Sequence, residues 1–272
     1  MERAFQLLRE VYRLGHQVAT SHSLGKLMKK LLKIAVAATA MMAAQAYAGL
    51  VIDDFSSGAF STQDLSTADP GVWNTSLGTM IGGSRDVYIE KKVSATTNGT
   101  DGVRASVNTT DKTFRFSQDS DQAGTSRIIW DGNSTAQGTI DVLGLGGTGQ
   151  NFSAVSSAFQ FTAKFEQPTI NPYTVQLHVW DILGAESTFQ FDAIGTGGLF
   201  QVFTIAFTDA GWVGTADFTK VGALEADLNT GATGALDVDI TLKDVETVPE
   251  PGSLALAGLG LLGLGAIRRR KA

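Results

Sequence analysis

Few residues in this chain have the types that carry covalent or metal chemistry. There is no cysteine and there are three histidines. Without a thiol the chain has no disulfide framework, no thiolate nucleophile and no Cys-ligated zinc or iron–sulfur centre. His16 and His22 lie in an N-terminal stretch expected to be removed, so any triad or imidazole ligand falls to His178. A single histidine with no HExxH or paired-His spacing does not signal a zinc site by pattern, and a solvated strand histidine is its plain reading. The glycine-rich stretches lack both GxxxxGK[ST] and a strand-linked GxGxxG, so they read as turns rather than a nucleotide cradle.

Two groups of residues carry sharper readings. In TVQLHVW, Val175, Leu177 and Val179 take one face of a strand, which puts Gln176, His178 and Trp180 on the other. An indole to stack on a pyranose, with an amide and an imidazole to bond its hydroxyls, is the equipment of a sugar-binding face. A Trp covered by a loop or a second sheet is the competing reading, and Trp73, Trp130 and Trp212 face the same two. Asp119 and Asp121 in QDSDQAG resemble the start of a calcium loop, but Ala123 takes a ligand position and no Glu follows in place, so an EF-hand is rejected. A looser calcium site on loops from Asp119, Asp121, Asp237 and Asp239 remains as a weak candidate. A carboxylate pair for glycoside hydrolysis is defined by spatial separation and is not legible in sequence.

These residues must be positioned by strands. Apolar residues alternate with period two at Val87 and Ile89, Phe114 and Phe116, Phe159 to Phe165, Val175 to Val179, Phe189 and Phe191, and Phe203 to Phe207. Turn chemistry such as Asn98-Gly99, Asp101-Gly102 and Asp131-Gly132 separates them. Adding GLVIDDF, VRASVN, SRIIWDG and ALDVDITLKDV gives roughly ten strands, too many for one open sheet. No long helical period intervenes. The expected fold is all-β, an antiparallel β-sandwich of jelly-roll type. The glycine-rich patch at 143–149 reads as a flexible loop or wide turn.

The two ends are of another kind. Residues 28–48, MKKLLKIAVAATAMMAAQAYA, place Lys29, Lys30 and Lys33 before an apolar run that ends in Ala46 and Ala48. That is the layout of a secretory signal helix, with cleavage expected before Gly49 by signal peptidase after passage through the Sec translocon. Residues 1–27 read as an extension upstream of the true initiator Met28, or as a long n-region. At the other end Val248, Pro249, Glu250 and Pro251 precede an apolar run at 254–267, and Arg268, Arg269, Arg270 and Lys271 close it. The prolines hold the motif extended. The run reaches about 21 Å as a helix, and the basic cluster stays cytoplasmic.

At these residues the chain resembles the PEP-CTERM class of exported proteins, over about 25 residues from Val248 onward. The resemblance implies an exosortase as processing partner in a Gram-negative bacterium, a transient inner-membrane anchor, and delivery to the cell surface or exopolysaccharide matrix. Val248, Pro249, Glu250 and Pro251 are then a substrate motif and catalyse nothing.

Between the ends lies one domain, 49–247, with the sorting signal at 248–272. Of 21 basic residues seven fall in the first 48 and four in the tail, leaving ten; of 27 acidic residues 24 remain. The domain therefore carries about −14 against −6 for the whole chain. Such a surface repels nucleic acid and attracts divalent cations. The expectation is a non-catalytic adhesion or structural protein of the extracellular polysaccharide, with a lectin-like, calcium-assisted module as the alternative and an extracellular glycoside hydrolase third.

Overall fold

The computed structural model describes residues 49–94, 100–133, 135, 137–154, 156–166, 173–230 and 236–248. The signal segment with Ala46 and Ala48, the upstream extension, and Pro249, Glu250, Pro251, Arg268, Arg269, Arg270 and Lys271 lie outside the described residues. Among the described residues no helix is long and apolar enough to cross a membrane.

In chain order the strands are β1 (Val51–Asp53), β2 (Phe60–Asp64), β3 (Val72–Leu77), β4 (Ser84–Ser94), β5 (Val103–Asn108), β6 (Thr113–Gln118) and β7 (Gln122–Trp130). There follow β8 (Ala158–Glu166), β9 (Tyr173–Asp181), β10 (Glu186–Ala193), β11 (Gln201–Ala206), β12 (Trp212–Gly214), β13 (Val221–Leu228) and β14 (Asp239–Val248). One sheet runs β11-β8-β14-β6-β5-β2, with β1 also paired to β14; the other, the second sheet, runs β12-β10-β9-β13-β7-β4-β3. Every named pairing is antiparallel. The fold is thus a two-sheet antiparallel β-sandwich, with fourteen strands among the described residues where the alternation predicted about ten.

The four extra strands explain themselves. β2, β3 and β12 are sheet edges, and β12 is only three residues long; each lacks a run of apolar alternation because one side has no partner strand. β13, VGALEADL, is central, but Ala, Leu and Glu are helix formers and Asp is poor in strands, so local preference pointed away from its true state. Its Leu224/Ala226/Leu228 alternation was the available signal.

The core forms because alternate residues of both sheets face each other. In β8, Phe159, Phe161, Ala163 and Phe165 are buried while Gln160, Thr162 and Lys164 are not. They meet Val175 and Val179 of β9 and Leu224, Ala226 and Leu228 of β13 in one apolar cluster. Each buried side chain of this size contributes about 1.5–3 kcal/mol. A bulge between Leu242 and Asp244 shifts the phase of β14, so that Ile240, Leu242 and then Val245 all reach the core. A cavity of ≈ 40 Å³ remains between the sheets, lined by Phe161, Val175, Leu224 and Val245 among others.

The patch at 143–149 is held rather than loose. Leu145 is buried, its N–H donates to Gly222 O at 3.2 Å, and Gln150 pairs with Val221. The fit leaves no room for side chains: a Cβ on Gly222 would stand 1.8 Å from Val142 O, and one on Gly144 1.3 Å from Asp131 O.

Candidate functional site

Directly paired residues share a face, so the register of the second sheet lays out its outer surface. One row reads Thr188, His178, Glu225, Ile129, Asp86 and Thr75 across β10, β9, β13, β7, β4 and β3. The next reads Gln190, Gln176, Asp227, Arg127, Tyr88 and Trp73. Trp180 lies on the same face, one step beyond His178 on β9 and opposite Glu186.

The predicted triplet therefore shares one face, but each member has company that the sequence did not reveal. Gln176 Nε2 donates to Gln190 Oε1 at 2.7 Å. Trp180 is half-buried and stacks on His178, ring centroids 5.5 Å apart at 11°. His178 is not the solvated strand residue that its pattern suggests: its side chain is 16% exposed. Its Nδ1 lies 2.6 Å from Glu186 Oε1 and 3.3 Å from Thr188 Oγ1, and its Nε2 lies 3.8 Å from Asp227 Oδ2.

The centre of the cluster comes from β13 and β7. Arg127 Nε reaches Glu225 Oε1 and Asp227 Oδ1, both at 3.1 Å. Burial, reinforced by the neighbouring Asp227 charge, pushes the Glu225 carboxyl up to about 8 despite Arg127. Burial pulls the Arg127 guanidinium down, but Asp227 and Glu225 outweigh it and hold it above its ordinary value. Glu225 is therefore predominantly protonated at neutral pH. Among the described residues, His178, Glu225 and Asp227 are the group whose ligand atoms all lie within 4.8 Å of one another.

The other tryptophans divide. Trp130 is 2% exposed in the core and donates to Asp53 Oδ2 at 2.9 Å. Trp212 packs against the core and donates to Ala206 O at 2.9 Å. Trp73 lies on the outer face, half-buried, with its ring 4.7 Å from that of Tyr88. The face thus carries two separate aromatic stations, Trp180 and Trp73–Tyr88, with a polar strip between them.

The aspartates proposed for calcium occupy one corner of the sandwich, and several of their oxygens already have protein donors. Asp119 Oδ1 takes Arg104 Nη1 at 2.6 Å and its Oδ2 takes the Gly102 amide at 2.8 Å. Burial raises that carboxyl, but the Gly102 amide and Arg104 outweigh it and leave it below its ordinary value. Asp237 Oδ1 accepts the Asp121 amide at 2.6 Å. Asp239 pairs with Ser117 and Glu166, and burial followed by the Glu166 charge raises it.

Residues 247–271 match the family model described as the PEP-CTERM protein-sorting motif. No curated protein matches the chain. Among solved structures the chain is similar to an agarase at 12% identity and a TM-score of 0.39, covering 71% of this chain and 25% of that one. It is similar also to a family 29 carbohydrate-binding module (10% identity, TM-score 0.30, 70% and 85% covered). A family 12 xyloglucanase from Bacillus licheniformis gives 8% identity and a TM-score of 0.36, with 70% and 100% covered. The chain spans about a quarter of the length of the agarase it matches.

Proposed function

We propose, from the premise that the chain carries the PEP-CTERM protein-sorting motif, that its sandwich is a non-catalytic module that holds the exported protein in extracellular polysaccharide. The motif implies an exported protein with a membrane-anchoring C-terminus and an exosortase as its processing partner. Beyond that, we read the two sheets as a jelly-roll-like sandwich and the final destination as the cell surface or its matrix.

The observation that carries the binding role is the row Gln190, Gln176, Asp227, Arg127, Tyr88 and Trp73, with Trp180 beside it. Rings at separate points of one face suit stacking on a chain of pyranose units, and the intervening amides and charges suit its hydroxyls. The same geometry favours binding over hydrolysis. Glu225, the acid held protonated at neutral pH, is 5% exposed and locked on Arg127, which leaves it no access to a glycosidic oxygen.

Affinity electrophoresis of the full-length protein in gels containing the producing cell's own polysaccharide tests this. Retardation is expected, and Trp180→Ala or Trp73→Ala should weaken it about tenfold, or about 1.4 kcal/mol. Retention unchanged in both variants would refute the reading.

A further inference from the structure

The His178 imidazole is arranged as metal-binding imidazoles are. Glu186 Oε1 at 2.6 Å from Nδ1 is a carboxylate acceptor, so Nδ1 carries the proton. In the neutral ring that leaves a lone pair on Nε2. This atom is shut off from solvent, has no hydrogen-bond partner, and faces Asp227 Oδ2 at 3.8 Å, beyond hydrogen-bond reach. A lone pair aimed at a carboxylate in a site closed to water is unfavourable, and either a proton on Nε2 or a metal cation between the two groups relieves it.

The charge around it points the same way. Glu186, Glu225 and Asp227 are three carboxyl groups against one cation, Arg127. Arg127 holds Glu225 Oε1 and Asp227 Oδ1, and the two carboxyl groups also hydrogen-bond to each other, so an ion at His178 would take the place of that shared proton. Nε2 and one oxygen from each carboxylate lie within 4.8 Å of one another, so side-chain rotation that draws them together by about 1 Å would bring them to the spacing of ligands around one ion at about 2.0–2.2 Å.

We propose that His178, Glu225 and Asp227 bind one divalent first-row transition-metal ion of the zinc class. Glu186 and Thr188 fix the ring from behind, the carboxylate–histidine–metal relay that orients such ligands, and Arg127 balances the carboxylate charge. An imidazole nitrogen beside only two carboxylates favours zinc, cobalt or nickel over calcium, which takes six to eight oxygens. Two ligands come from alternate, same-face positions on β13 and one from the partner strand β9, so the sheet itself sets the spacing. The half-exposed Trp180 ring stacked on His178 places a fluorophore beside the ion.

The site shares Asp227 with the proposed binding row but needs no ligand on that face, and its test contains no polysaccharide, so either reading can fail alone. The full-length protein is stripped with a chelator, dialysed into metal-free buffer and titrated with Zn²⁺ and Co²⁺. Metal content, tryptophan fluorescence and the visible Co²⁺ spectrum are read. One equivalent of Zn²⁺ is expected, with quenching by Co²⁺ and a raised Tm on loading. Asp227→Asn and His178→Gln should lose the equivalent. Glu186→Gln, which alters a half-exposed group and spares the ligands, should weaken affinity about 10–100-fold. Folded wild-type protein that holds no equivalent, or an affinity unchanged in Glu186→Gln and Asp227→Asn, would overturn the proposal.

Discussion

Arg85 of β4 and Asp53 of β1 form an ion pair with side chains 0% and 1% exposed, and this pair joins the two sheets. Arg85 Nη1 meets Asp53 Oδ2 at 2.5 Å, and its Nη2 donates to Gly58 O at 2.9 Å. Asp53 also takes Trp130 Nε1 at 2.9 Å and the Phe55 amide at 2.8 Å. The guanidinium lies 5.4 Å from the Phe55 ring centroid. Arg85→Met leaves a carboxylate with no water and no counter-charge; Asp53→Asn leaves the reverse. Each should cost about 3–5 kcal/mol, because the surviving charge has already lost its hydration. For a domain of roughly 200 residues that lowers Tm by about 6–20 °C. The double variant removes both charges, so it should be less destabilised than the sum of the singles by about 1–3 kcal/mol. Urea titration of all four proteins closes the cycle. Additive losses, or an Arg85→Met protein within about 1 kcal/mol of wild type, would refute the reasoning.

Other outcomes follow from particular contacts. Gly222→Ala should detach the 143–149 turn and destabilise the domain by more than 1 kcal/mol, since its Cβ would stand 1.8 Å from Val142 O; an unchanged urea midpoint would contradict that close approach. Val175→Ile adds one methylene at the ≈ 40 Å³ cavity and should raise stability by about 0.8 kcal/mol, and a lower Tm would show that the space does not accept it. The Glu225 carboxyl, facing Asp227, Arg127 and His178, titrates near 8 when folded against an ordinary value of 4.5. In metal-free protein its contribution is fully present below about pH 4.5 and is lost as pH rises through about 8. Glu225→Gln should flatten that slope between pH 5 and 9, and a slope identical to wild type would exclude Glu225 as its source.

Strand β9 was legible residue by residue because its alternation is a local property: Val175, Leu177 and Val179 turn to the core whatever stands beside them. The partners of His178 were not. Glu186 and Thr188 come across a tight hairpin, while Glu225 and Asp227 lie on a strand whose residues favour helix. Arg127 is a hundred residues from Asp227 in the chain and meets it only through the β7–β13 register. The pattern of TVQLHVW assigned His178 a face, but whether that face was wet depended on the strands beside it.

The PEP-CTERM motif needed no tertiary structure at all. A sorting signal is read by another protein along a short contiguous stretch, so its motif, apolar run and basic end are complete in linear order. Likewise the two-sheet, all-β character follows from period-two alternation and turns, which are short-range. The number of strands at the edges, the central place of β13, and the convergence of His178, Glu225, Asp227 and Arg127 were decided only by sheet register. A strand's neighbours are chosen by the burial of its apolar face, and a polar cluster on the opposite face inherits whatever alignment that burial imposes.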